Sequence, residues 1–443
     1  METPYFDARK RSVYRRPVLN NLILHIHPPT IPEKTLALTH TWGLGGMSVV
    51  LVMLLAVTGI LLMFVYEPFP GQAYDSIVTL QKEVWFGHLV RNIHHWSGNI
   101  LVIVSFLHLL RVYFTSAFHG PRRLNWVIGL GLLFLVLVSN FTGYLLPWDQ
   151  QAYWAITICT NMLDYLPGLG MQLQKVIFGG EEIGPATLSI FFTIHIVIMP
   201  VCLFLLMPYH FWLVRKAGGV VVPRLLGEDS DTRNAHVPII PNLVVREAAI
   251  GLALIAFVMV YALIFDAPLA GRANPGLSPN PTKAPWFLIG IQEMLMHIHP
   301  MFAAWVIPVL MVVLLIALPY FKYDAEETGA WFCSRKGHRM GMVAALTALV
   351  VTPVLVIGSS LFIDFTVWLP KIPGFIRNGL IPLIIILAAI VGFYISMKKR
   401  YKASNNEAIQ TVFILLLVSF VILTIICYWF RGPGMELIFF SHQ

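Results

Sequence analysis

Residues 91–114 read RNIHHWSGNILVIVSFLHLLRVYF. From Ile100 to Leu110 only Ser105 and His108 interrupt the apolar run, and crossing a bilayer takes ~20 residues of this kind. An ionisable side chain inside such a span is expensive and by default marks function. His94 and His108 lie fourteen residues apart, which on an α-helix leaves them within about 40° of one another and about 21 Å apart along the axis. A second pair, His195 and His210, occupies the apolar stretch 186–214 at a spacing of fifteen, or about 60°. Two such helices, facing each other and running in the same direction, stack two bis-histidine sites along the membrane normal: His94 with His195, and His108 with His210. A b-type haem needs two axial ligands in a dry slot between helices, and neutral imidazole is a suitable donor.

The rest of the chain is built of the same material. Of its 443 residues 57% are hydrophobic and 12% charged, with a mean hydropathy of +0.74, about half the charge of an ordinary soluble domain. Apolar stretches near 43–66, 92–115, 124–146, 186–214, 246–266, 300–321, 340–362, 379–397 and 409–430 give an all-α polytopic membrane protein of about nine transmembrane helices. The first forty residues are polar and basic, so no cleavable signal peptide is expected. Of the 30 Lys and Arg, 22 fall on the side of the N-terminus and 8 on the other, which places the N-terminus in the cytoplasm. That asymmetry, not nucleic-acid binding, accounts for the net charge of +8. The long connections 147–185 and 267–299 then lie outside, and their Pro, Gly and Trp content reads as folded. The segment 215–245 (Pro223, Gly227, Glu228, Asp229, Asp231) is the most linker-like. It divides a haem-binding four-helix bundle, residues 1–220, from a C-terminal helical bundle, residues 221–443.

Glycines repeat the histidine pitch. Gly45 and Gly59 in the first span, and Gly129 and Gly143 in the third, are also fourteen apart. They either pack helices closely, as small residues do in membranes, or leave flat gaps where a porphyrin presses on backbone. Arg91 and Arg111 lie three residues from a ligand, placed to pair with haem propionates or to snorkel to the interface. His95 points about 100° from His94 and is assigned no haem. Cys159, Cys202, Cys333 and Cys427 show no metal or redox spacing, and no Cys-x-x-Cys-His is present. Covalent c-type haem and an iron–sulfur framework are therefore not expected on this chain.

At these residues the sequence resembles the cytochrome b family of bc-type complexes. The stretches that carry it are Arg91-Asn-Ile-His94-His95-Trp96-Ser97, His108-Leu-Leu-Arg111-Val-Tyr113, and Gly143-Tyr-Leu-Leu-Pro147-Trp148-Asp149-Gln150 followed by Ala152-Tyr153-Trp154. The fifteen-residue spacing and His210-Phe-Trp-Leu-Val-Arg215-Lys216 look most like the plastid-type split form, although this chain is unsplit. The match is strong over about residues 36–220 and weak beyond. The resemblance implies an outer quinol-oxidising pocket between Pro147–Trp154 and the loop before the sixth span, with Tyr153 and Trp286 at it. It also implies an inner quinone-reducing pocket near Arg215; Arg246 and Glu247, at the start of the fifth span, are either its proton donors or charged residues that flank a span on its cytoplasmic side. Further implications are a Q cycle coupled to proton translocation, a Rieske iron–sulfur protein or other high-potential acceptor, a c-type cytochrome, a homodimer, and a bacterial-type inner membrane.

Three departures stand out. Where the plastid type has a cysteine holding an extra haem, this chain has Gly43, beside Trp42. The outer-pocket Pro-Glu-Trp-Tyr motif reads Ala284-Pro285-Trp286-Phe287 here, without its carboxylate. Glu293, four residues before His297 and so on the same helical face, is the substitute for a proton relay, or else an interfacial charge. Two spans follow the seventh. The displaced glutamate leaves open a low-potential quinol such as menaquinol. It also leaves open a second reading, a di-haem anchor relaying electrons linearly to another redox module without bifurcation. A haem-free transporter would explain buried histidines but not the paired glycine pitch.

Overall fold

The computed structural model describes residues 28–224, 235–323 and 328–438. The basic residues before Pro28, and Gly227, Glu228, Asp229 and Asp231 of the linker-like segment, lie outside the described residues. Among the described residues nine helices are long and apolar enough to cross a membrane: Leu44–Met63, Gly87–Phe114, Gly120–Leu145, Pro185–Lys216, Ile239–Ile264, Met301–Tyr320, Arg335–Leu361, Ile376–Tyr401 and Asn405–Phe430. The chain is an all-α polytopic membrane protein, as its composition requires. Phe134, Leu252 and Leu346 are more than 60% exposed, an outward apolar face that suits lipid and not water. Several helices run past their apolar stretch. The second begins at Gly87 rather than 92, and the fifth at Ile239 rather than 246, because backbone bonds continue where side chains have turned interfacial.

Spans one to five share a core that includes Leu51, Leu101, Val136, Leu203 and Val258. A second core joins the far ends of spans two and three to the later spans through Tyr113, Phe118, Trp126, Leu318, Ala344 and Ile414. Three spans contain a π-turn, Met301–Val306 and Ile376–Leu380 at the start of the sixth and eighth and Ile194–Ile198 within the fourth. In each case a proline, Pro200, Pro308 or Pro382, follows two residues later. Proline has no N–H to give and its ring crowds the carbonyl four residues back, so the turn before it widens.

The long connections are folded, as expected. Asp149 caps the helix Gln150–Asn161 by accepting from Ala152 N at 2.8 Å, and its other oxygen accepts from Ala270 N at 2.9 Å. Gln150 N donates to Gly271 O, and Trp154 Nε1 to Asn274 O. The two loops are thereby laced together at the end of the bundle where His94 lies. At the opposite end Thr30–Pro32 pairs antiparallel with His236–Pro238, a two-stranded clip that hydrophobic periodicity did not signal.

Candidate functional site

Spans one to four bring the four histidines together in pairs at two levels. The rings of His94 and His195 face one another with centroids 6.2 Å apart, and His108 and His210 are neighbours at the other level. His195 sits inside the π-turn Ile194–Ile198. That wide turn absorbs the one-residue excess of the fifteen-residue spacing, so the fourth span keeps phase with the second.

Hydrogen bonds fix how the upper rings point. His195 Nδ1 lies 2.9 Å from Ser139 O, and a carbonyl only accepts, so Nδ1 carries the proton there. Thr58 Oγ1 gives its own hydrogen to Leu54 O and accepts from His94 Nδ1 at 2.9 Å. In both rings Nε2 is left as the lone-pair nitrogen, the arrangement that ligating histidines adopt. A metal–imidazole bond of about 2 Å on each side, with about 1 Å from nitrogen to ring centre, gives a centroid separation of about 6 Å.

Each glycine of the repeat lies against one histidine. A Cβ on Gly59 would come 3.2 Å from His94 Cε1, on Gly45 3.4 Å from His108 Cε1, and on Gly129 3.4 Å from His210 Cε1. On Gly143 it would come 2.6 Å from His195 Cε1. Gly143 and Gly59 make room for the imidazoles themselves, a more specific role than the open gap the repeat suggested, whereas a Cβ at Gly45 or Gly129 would be in ordinary contact. Thr58-Gly59 and Thr142-Gly143 are the same dipeptide, and Thr142 Oγ1 is 3.3 Å from His195 Nδ1. That repeated Thr-Gly was a readable signal that spacing arguments passed over.

The arginines have protein partners. Arg91 donates to Ala267 O and Pro268 O at 2.8 and 2.7 Å. Arg111 Nε donates to His40 O at 3.0 Å, and the His40 ring lies between Arg111 and Val221 O. Burial, with the Arg111 charge adding to it, holds the His40 imidazole down at about 4. His95 stands apart from the pair and meets Asn99, whose Oδ1 accepts from Trp286 Nε1 at 2.6 Å. Arg215 is half-buried at the end of the fourth span, and Arg246 donates to Leu36 O at the start of the fifth, with Glu247 beside it.

At the His94 end, Tyr153 packs between Trp148 and Trp154 on the helix Gln150–Asn161, and burial, helped by the Glu182 charge, pushes its phenol up. Glu293 and His297 meet at 3.0 Å. Glu293 is fully buried on the short helix Ile289–Leu295 and forms an ion pair with Arg431, a partner the sequence reading missed. Arg431 is the only Lys or Arg after the ninth span, and a lone cation there was the available sign. Burial raises the Glu293 carboxyl, but hydrogen bonds and charge from His297 and Arg431 outweigh that and hold it below its ordinary value.

The nine spans among the described residues, with imidazoles paired at two levels between four of them, define a polytopic membrane bundle of the cofactor-holding kind. Among the described residues no group of three or more His, Cys, Asp or Glu could hold a bare metal ion; two axial ligands are what a macrocycle-bound iron leaves for protein to supply. The chain belongs to the cytochrome b family. The family model described as cytochrome b/b6/petB matches residues 32–218. Cytochrome b6 of Heliomicrobium gestii is 40% identical over 192 residues, 43% of this chain and 88% of that protein. The menaquinol:cytochrome c reductase cytochrome b subunit of Bacillus subtilis is 39% identical over 175 residues, 39% of this chain and 78% of that protein. A solved structure titled hyperthermophilic respiratory Complex III shares the fold at 21% identity and a TM-score of 0.66, covering 93% of this chain and 97% of that one. Family membership carries haem b binding with it.

Proposed function

We propose that the chain is the electron-carrying subunit of a quinol-oxidising bc-type complex that runs a Q cycle. The observation that carries this reading is the pairing of His94 with His195 and of His108 with His210, each ring backed by its own glycine. These four histidines hold two b haems, and the haems, when bound, supply one-electron carriage across the bilayer. The relative named as a menaquinol:cytochrome c reductase subunit supports the reaction class and makes menaquinol the first substrate to try. The partners are a Rieske protein or another high-potential acceptor and a c-type cytochrome, with a second copy of the chain completing a homodimer. The N-terminus lies in the cytoplasm of a bacterial-type inner membrane, and the His94 end faces outward. Residues 1–220 form the haem unit, and residues 221–443 complete the outer pocket.

In this reading Tyr153, Trp286, Glu293 and His297 serve quinol oxidation at the His94 end. Trp286 is held by Asn99 next to His95, so the loop before the sixth span docks on the haem-bearing second span. Glu293 and His297 provide a proton relay in place of the carboxylate missing at Pro285. Arg215, Arg246 and Glu247 serve quinone reduction at the His108 end. A pyridine haemochrome spectrum of the purified chain tests the ligand set. Two b haems per polypeptide with no c-type signal are expected, and one in the His94→Ala variant; a single haem or none in the parent refutes the pairing. The missing carboxylate also suits the linear relay. Quinol oxidation that needs no Rieske protein and ignores outer-pocket inhibitors would select it.

A further inference from the structure

The ninth span lies outside the residues the family model matches, yet its outer end reaches into the proposed outer pocket. Helix Ile289–Leu295 rests directly on that span; a Cβ on Gly290 would come 2.7 Å from Thr424 Oγ1 and 2.8 Å from the Phe420 ring. Just past the span, Arg431 Nε sits 3.0 Å from Glu293 Oε2 and 3.2 Å from Oε1, and a terminal guanidinium nitrogen also donates to Oε1. Arg431 is itself fixed by donating to Met435 O and Ser360 Oγ. Its side chain is 5% exposed and that of Glu293 is 0% exposed.

His297 lies between this pair and the seventh span. Nε2 is 3.0 Å from Glu293 Oε1, and Nδ1 is 2.8 Å from Ser359 Oγ. Ser359 Oγ has a second outlet, Leu355 O at 2.7 Å. Two states therefore share one set of heavy atoms. In the neutral ring, Ser359 donates to Nδ1 and Nε2–H donates to Glu293. In the cationic ring, Ser359 turns its hydrogen to Leu355 O and accepts from Nδ1–H, while the carboxylate holds Nε2–H. His297 thus gains or loses a proton with no movement beyond one hydroxyl hydrogen. Arg431 also lies 3.3 Å from His297 Nε2, so the guanidinium and the carboxylate both face the same nitrogen of the ring.

We propose that Arg431 is a positioning residue of the outer quinol site, acting through Glu293 to make His297 a reversible one-proton store. The step is a proton transfer: the quinol O–H breaks heterolytically, an N–H forms on His297, and the bonding pair stays with the quinol oxygen. The inference rests on the outer-pocket reading given above. The other titratable group against Glu293 is Cys427 on the ninth span, and Lys283, which donates to Tyr428 O, lies near that cysteine.

The test is the pH profile of quinol oxidation by the whole complex, isolated with Arg431→Met, Arg431→Lys, Glu293→Gln, or Glu293→Gln with Arg431→Met. Losing the cation leaves burial to raise the proton affinity of the Glu293–His297 pair, and an adjacent opposite charge is worth about 1 to 3 pH units. The acid limb in Arg431→Met is expected to move up by that amount, and by less in Arg431→Lys. The double variant removes both charges together, so it folds where the single one leaves a lone buried carboxylate; it is expected to keep both haems and lack the shifted limb. If Glu293→Gln slows turnover while Arg431→Met keeps the parental limb, or loses rate equally at every pH, the role given to Arg431 falls alone. If Glu293→Gln leaves turnover unchanged, the outer-pocket reading falls and this inference with it.

Discussion

One added methyl group would tell the four glycines of the histidine-bearing bundle apart. Against Gly143 a Cβ meets His195 Cε1 at 2.6 Å, well inside contact, and that ring is held by Ser139 O. Against Gly45 it meets His108 Cε1 at 3.4 Å, which is ordinary packing. Gly143→Ala is therefore expected to lower haem to about half the parental amount, or to split the haemochrome band of the His94 level, whereas Gly45→Ala keeps both haems. Equal loss in the two variants would show that small-residue packing, not ring accommodation, fixes these positions. At the other end of the bundle His40 sets a pH dependence. Its folded proton affinity lies at about 4, below the ordinary 6.5, so between those values the unfolded chain binds a proton that the folded chain refuses. Stability is complete above about pH 6.5 and falls as the pH drops towards 4, by about 3 kcal/mol at most. The unfolding midpoint of the detergent-solubilised protein at pH 7.5 and at pH 5 measures it; the gap is expected to narrow in His40→Gln. The four paired histidines were legible because membrane spans tolerate few ionisable groups. His40 and Arg431 were not, since both act through contacts with segments 181 and 138 residues distant in the chain.

Elements show a different balance. Nine spans could be read from hydropathy because lipid demands long apolar runs, and their number survives any error at the ends. The π-turns could not, as periodicity assumes a constant 100° per residue. Yet their cause was in plain sight, in Pro200, Pro308 and Pro382 at the same offset from each wide turn. In the fourth span the turn has a consequence for ligand geometry. Pro200→Ala removes the obstacle to a regular helix, and the fifteen-residue interval then leaves His195 and His210 about 60° out of line. Haem per chain is expected to fall, or the spectrum of the His94 level to shift. Deleting Val197 in the same variant restores an interval of fourteen and is expected to restore the haem. If Pro200→Ala alone retains two parental haems, the π-turn has no part in ligand placement.

At the scale of the whole molecule, the division near residues 220–235 can be probed directly. The stretch that the family model matches ends at residue 218, just ahead of that division. In this chain the two halves are bound by contacts that do not depend on continuity. Arg91 holds Ala267 and Pro268, Trp96 Nε1 donates to Phe265 O, Asp149 holds Ala270, and Trp126 Nε1 donates to Leu315 O. Leu254 and Val258 of the fifth span complete the core around the first two spans. These bonds grip both ends of the histidine-bearing bundle, and all but that of Trp96 are at least partly buried, where a lost partner is costly. Expressed as two chains broken between Arg224 and Ala235, the halves are expected to co-purify with two b haems, all on the N-terminal fragment. The N-terminal fragment alone is expected to hold fewer haems and to unfold at a lower temperature, because the fifth span no longer covers its core. Two haems and full thermal stability in the isolated fragment would mean that residues 221–443 do not support the haem unit. Their role would then be confined to the outer pocket, and the Glu293–His297–Arg431 network would become the main structural reason for the last spans.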